Sequence, residues 1–310
     1  MKIAFLFPGQ GGHVGKVSAL LSYDRSLYET ELNCISEVYG MDILDFALKA
    51  DAATLGRVQH TQRIMFAASV CFLEIAKKSG VQPDLATGHS IGQYAAMYAA
   101  GCFDLADGAS LVQQRAALMS EIAAVGKLCA IQAPFPIDTA YISGLCDTIS
   151  GQTEKIIGLA LINSDKQLVV GGEPEALSEF TEALKADGRY SSVLLPVGQA
   201  FHTALMEPMS APFEACLNQV SIREPSIPLI LNTSGKYYSG EDLRKELLFH
   251  CVRPVQWLQT MQLLAAEKPV LFEVGPGHTL SGFFRNYARV RVIPMEDPKQ
   301  FFKAVQGSVG

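Results

Sequence analysis

Apolar and polar positions alternate along this chain with two different periods, and the change of period marks its elements. Lys2 to Phe7 is a short apolar run that Pro8 and Gly9 break at once, which predicts a buried first strand. Between Gln62 and Ser79 the apolar residues Ile64, Phe66, Ala67, Val70, Phe72, Leu73 and Ile75 recur at helical spacing. A strand over Asp84 to Thr87 then enters a glycine-flanked turn and a helix of small residues.

From about Lys127 to Pro196 the rhythm changes. Strands are expected over Leu128–Gln132, Ile156–Asn163, Gln167–Gly171 and Tyr190–Leu195, with helices over Ile137–Ser150 and Pro174–Asp187. The order β-α-β-β-α-β is that of a ferredoxin-like unit. Beyond Gly198 the alternation of helix and strand resumes, with Ile227–Asn232 and Val270–Val274 as apolar strands suited to a parallel sheet. The predicted fold is therefore α/β. A large α/β-hydrolase-like domain with a parallel sheet is built from residues 1–126 and 197–310, and a ferredoxin-like α+β subdomain is inserted at 127–196. No fixed repeat or low-complexity tract interrupts it, and Lys236–Lys245 reads as a loop entering a helix.

Composition narrows the class. Over 310 residues, 49% are hydrophobic and 18% charged, enough apolar material for a large core. A net charge of -6 argues against nucleic acid as a partner. No apolar stretch approaches the roughly 20 residues of a membrane span, and the N-terminal run is too short for a secretory signal, so a cytoplasmic protein is expected. The 7 cysteines include no C-x-x-C pair, which signals neither zinc nor a disulfide framework. Without a heptad seam, a monomer is expected.

The candidate chemistry centres on Gly88-His-Ser-Ile-Gly92, a G-x-S-x-G pattern with a predicted strand before it and a helix after it. Small neighbours let the chain turn sharply so that the Ser90 Oγ projects outward, and the helix N-terminus, notably the N–H of Ile91, is aimed where an oxyanion would form. A serine nucleophile needs a base. His202 follows the insert directly, where the chain rejoins the large domain, and His278 in Gly275-Pro-Gly-His is its rival. His89 adjoins the nucleophile but should point away from it, which suits a structural role at the pocket.

Six segments in order, Phe7-Pro-Gly-Gln-Gly-Gly, Gly88-His-Ser-Ile-Gly, Gln114-Arg-Ala-Ala-Leu-Met, Ala200-Phe-His-Thr-Ala-Leu-Met, Pro254-Val-Gln-Trp and Phe272-Glu-Val-Gly-Pro-Gly, span nearly the whole chain. In these the sequence resembles malonyl-CoA:acyl carrier protein transacylases and polyketide synthase acyltransferase domains. The resemblance implies Ser90 as nucleophile, His202 as general base and acid, and backbone N–H groups of Gln10 and Ile91 as the oxyanion hole. It places Gln256 beside His202, with a backbone carbonyl near that position orienting the imidazole in place of an Asp. Arg115, in the same segment as Met119, would grip the malonyl carboxylate through two parallel hydrogen bonds, which a lysine cannot reproduce. Phe201 beside the base would crowd a branched α-carbon and favour malonyl over methylmalonyl. Gln62 and Asn163 complete the implied pocket.

Four positions depart from the family pattern: Gln199 where malonyl-selective members carry His, Gln93 for Glu, Cys129 for a small residue or Met, and Arg63 for the Pro that commonly follows Gln62. They bear on acyl preference more than on reaction type. The implied reaction moves malonyl from coenzyme A through a Ser90 ester to the phosphopantetheine thiol of a separate acyl carrier protein, in fatty-acid or polyketide synthesis. It needs neither metal nor tightly bound cofactor, the coenzyme A thioester being a substrate. Two other readings compete. An acyl hydrolase that edits carrier-bound chains would have no use for Arg115, and a non-catalytic carrier-protein docking module would not need Ser90 with His202.

Overall fold

The computed structural model describes residues 2–10, 14–122, 126–287 and 290–308. Two sheets organise it. The first has the strand order β7-β2-β1-β8-β9, formed by β1 (Ile3–Phe7), β2 (Leu85–Gly88), β7 (Leu229–Ile230), β8 (Val270–Glu273) and β9 (Val292–Pro294). Every pairing in it is parallel. Its central strands are apolar on both faces because helices cover both, and Ala4 to Phe7 are fully buried. The helix Val58–Lys78 is the longest of the cover and buries most of its length. It begins at Val58, four residues before the expected Gln62, since Gln59 to Arg63 carry no apolar period between Val58 and Ile64.

The second sheet has the order β4-β5-β3-β6, from β3 (Lys127–Gln132), β4 (Ile157–Ser164), β5 (Gln167–Gly172) and β6 (Ser191–Leu194). All its pairings are antiparallel. Helices Thr139–Thr153 and Pro174–Asp187 cover one face, and Ile131, Ile142, Val170, Leu177 and Phe180 form a separate core beneath them. This is the ferredoxin-like arrangement. The other face, with Leu128, Leu161 and Val169, turns toward the large sheet.

The expected strand Ile227–Asn232 shrinks to Leu229–Ile230. Pro228 has no N–H to offer, though its carbonyl accepts from Ala86 N, and the chain beyond Leu231 turns back on itself through Leu231 N to the Lys236 carbonyl. That early exit frees Asn232 for the neighbouring turn. Main-chain bonds join the two units as well: Val255 N donates to the Ala160 carbonyl and Ile162 N to the Val255 carbonyl, so β4 is tied to the segment before helix Trp257–Glu267.

Candidate active site

The Ser90 turn lies at the C-terminal end of β2, the edge where open parallel sheets place their ligand crevices. Ser90 has φ 52, a left-handed conformation that costs a non-glycine residue energy and persists only when its surroundings enforce it. Sterics enforce it here. A Cβ on Gly88 would overlap the Gly92 carbonyl, and one on Gly92 would overlap the Phe7 carbonyl, so strand, turn and helix pack closer than any side chain allows. Asn232 completes the restraint. Its Oδ1 accepts from Ser90 N at 2.8 Å, and its Nδ2 donates to the Gly88 carbonyl and to Gln93 Oε1.

His202 Nε2 lies 2.7 Å from Ser90 Oγ, and its Nδ1 lies 2.7 Å from the His250 carbonyl oxygen. A carbonyl can only accept, so Nδ1 carries the proton and Nε2 is the bare acceptor for the Ser90 hydroxyl. The clamp comes from the last turn of helix Leu243–Val252, whose final carbonyls have no partner within the helix. Two of these hold His202: His250 O takes the ring, and Cys251 O accepts from His202 N at 3.1 Å. The negative end of that helix dipole also favours a positive charge on the ring. His202 itself has φ 62, held by a turn in which Thr203 Oγ1 donates to the Ala200 carbonyl at 2.6 Å.

Around this pair is a cavity of about 230 Å³ lined by Gly9, Gln10, Gln62, His89, Arg115, Asn163, Phe201, Phe283 and the inner face of the antiparallel sheet. Arg115, on helix Leu105–Glu121, is 1% exposed, donates to Gln62 Oε1 and faces the Tyr94 ring at 5.6 Å. Its Nε has no partner among the described residues. A guanidinium buried so deeply, with no ion-paired carboxylate among the described residues, is costly unless an anion enters to pair with it. The arrangement therefore offers a serine with a base, a helix N-terminus at Ile91, and Gln10 and a fixed cation in the same cavity lining.

Comparison with known proteins identifies the constellation. Residues 4–285 match the family described as "Acyl transferase domain". The chain belongs to that family. It is 30% identical over 285 residues to the malonyl CoA-acyl carrier protein transacylase of Escherichia coli, covering 91% of each. It is also 31% identical over 284 residues to the polyketide biosynthesis protein ThaF of Burkholderia thailandensis, but spans only 24% of that longer protein. Among solved structures, a malonyl-transacylase in complex with a type II polyketide synthase acyl-carrier protein superposes with a TM-score of 0.90 at 26% identity, over 99% of this chain and 100% of the other.

Within this acyl transferase domain, most of the residues singled out from the sequence line the cavity, and three do not: Ile91, which opens the helix behind Ser90, Gln256 and Met119. No hydrogen bond among the described residues joins Gln256 to His202: Gln256 precedes helix Trp257–Glu267, its N–H donates to the Asn232 carbonyl and its side chain accepts from Gln259. The carbonyl that orients the imidazole comes from His250, six residues earlier, because Val255 is already committed to β4. Met119 is fully buried but lies behind the wall, where its sulfur accepts from Gln62 Nε2 at 3.2 Å. It positions Gln62 from behind the cavity wall. His89 does point away from the nucleophile, to Asn163 Oδ1 at 2.8 Å, and Asn163 in turn donates to Gln167. The rival base His278 is half-exposed and lies 2.7 Å from Glu296, outside the cavity lining. Gly11 and Gly12 of the first segment lie outside the described residues.

Sequence reasoning missed Asn232 and His250. Asn232 follows the end of a parallel strand, a position that could have marked it. His250 carried no signal, since it contributes a main-chain atom. Burial, and then the charge of Arg115, lower the His202 pKa to about 3, while the bond to the His250 carbonyl opposes the shift. Burial likewise lowers His89.

Proposed function

We propose that this chain transfers a malonyl group from malonyl-CoA to the phosphopantetheine thiol of an acyl carrier protein, in fatty-acid or polyketide synthesis. The observation that carries the reading is the joint placement of the Ser90–His202 pair and buried Arg115 on one cavity. The catalytic work of the relatives named above supports it.

In the first half-reaction His202 Nε2 takes the Ser90 Oγ proton as Oγ bonds to the thioester carbonyl carbon. The N–H groups of Ile91 and Gln10 stabilise the oxyanion. The C–S bond then breaks, and the leaving sulfur of coenzyme A takes the proton back from His202. In the second half the carrier's thiol gives its proton to His202 and attacks the ester, and Ser90 leaves with that proton. Exchange between thioester and ester trades C–S for C–O bonds, with protons passed through His202 and no change of oxidation state, so the proposed reaction requires no resident cofactor or metal. Arg115 pairs with the malonyl carboxylate, and Phe201 narrows the space at the α-carbon. We place the protein in the cytoplasm, acting as a monomer.

The test is intact-protein mass spectrometry after brief mixing with malonyl-CoA, methylmalonyl-CoA and acetyl-CoA. A malonyl adduct is expected on the native protein and absent in Ser90→Ala, unchanged by a chelator, and discharged onto an acyl carrier protein. Loading by acetyl in preference to malonyl, or discharge to water alone, would replace this reading with that of an editing hydrolase.

A further inference from the structure

His250 offers more than its carbonyl. Its side chain is fully buried, yet neither ring nitrogen has a hydrogen-bond partner among the described residues. Buried polar atoms in that condition destabilise a fold and are uncommon in native proteins. A phenyl ring would fill a site of this size without the penalty. The imidazole lies against the His202 ring, centroids 5.1 Å apart and 43° between planes, and against Tyr94 on another side at 6.4 Å. Tyr94 faces Arg115, so a row of side chains runs from the buried cation to the base. The His250 side chain is not among the residues that line the cavity.

We propose that the His250 side chain is a positioning residue for His202, a neutral polar ring packed against the base that stabilises the imidazolium formed in each half-reaction. Neutrality has a clear origin: burial first, then the charges that would stand on His202 and Arg115, push its pKa well below the ordinary imidazole value. Among the described residues, Arg115, Tyr94, His89 and Cys251 are the other titratable groups around the two rings, and none is an anion at neutral pH. When His202 takes the serine proton, no carboxylate of the protein among the described residues is hydrogen-bonded to it to meet the positive charge. An imidazole with both nitrogens unengaged by protein can present its lone pair, or its ring face, toward that cation. The instability of the orphaned ring is then offset by function, the usual reason a core breaks its own rules.

This inference rests on Ser90 and His202 performing the acyl transfer proposed above. Replacing His250 leaves its carbonyl in place, so the experiment reads the side chain alone. The native protein, His250→Phe and His250→Gln are compared for the rate of Ser90 loading by malonyl-CoA in rapid-quench mass spectrometry, for KM, and for Tm. The expected result is a loading rate roughly tenfold or more lower in His250→Phe, with KM unchanged and Tm equal or higher. His250→Gln, which keeps a polar acceptor, should recover most of the rate. Loading of His250→Phe at the native rate, a loss carried in KM, or a loss in both variants that follows a falling Tm would each overturn the inference. If the native protein itself fails to load, the functional reading is what fails.

Discussion

His202 shows how far a single residue's chemistry is set by its surroundings. A free imidazole is half protonated near its ordinary value and loses base strength below it, whereas His202 is held neutral down to about 3 by burial and the Arg115 charge. The base must be neutral to act, so activity should persist as pH falls until His202 takes up a proton. The loading rate per unit of malonyl-CoA is expected to stay flat from about pH 8 to pH 5, where a base with the ordinary value of about 6.5 would lose more than tenfold. A stopped-time pH series checks this. Arg115 acts a second way, because a bound carboxylate offsets its charge and strengthens the base in the malonyl complex. Arg115→Ala should therefore lower malonyl loading by roughly a hundredfold or more while acetyl loading falls less or rises. Competition between the two thioesters, read by mass, would show the opposite ordering if Arg115 were merely structural.

Elements matter where their ends meet. The turn after β2 exists because Gly88 and Gly92 let strand, turn and helix interpenetrate, and because Asn232 at the end of β7 bonds its backbone. Gly92→Ala forces a methyl group into the Phe7 carbonyl, and we expect a loss of about 1–3 kcal/mol or more in urea unfolding together with loss of serine loading. Asn232→Ala removes three hydrogen bonds within the buried turn and should lower loading with smaller damage to the fold. The helix that clamps His202 is started by Asp242, whose carboxylate accepts from Arg244 N and Lys245 N. These are contacts between termini of elements, where backbone groups are left free to serve a site.

For the whole molecule, the cavity is a product of two units. The large unit supplies Ser90 from the end of β2 and the clamp on His202 from helix Leu243–Val252, and the antiparallel sheet contributes Leu128, Leu161, Asn163 and Val169 to the cavity wall. Hydrogen exchange should divide accordingly. Amides of β1 and β2, buried between helices, are expected to exchange most slowly, and β6, an edge strand with Val193 63% and Leu194 52% exposed, among the fastest. A reversed order would mean that the insert, not the large sheet, holds the chain together.

Much of this was written in local pattern. The helix Pro174–Asp187 matches its expected bounds because Pro174 opens it and Gly188 ends it, and the order of the inserted strands follows from alternation over short segments. The Ser90 turn was legible because its glycines are a steric requirement confined to five consecutive residues. By contrast, nothing local reveals which carbonyl holds His202. The sequence pointed to the segment containing Gln256, but the folded chain uses His250, since main-chain atoms are the same in every residue and only the path of the backbone decides which one faces the ring. The partnership of Arg115 with Gln62, the orphaned His250 ring and the depression of His202 likewise depend on residues brought together from distant parts of the chain into a buried interior. Local sterics and periodicity are properties of neighbours in sequence; burial and field are properties of neighbours in space, and those exist only once the two sheets have packed.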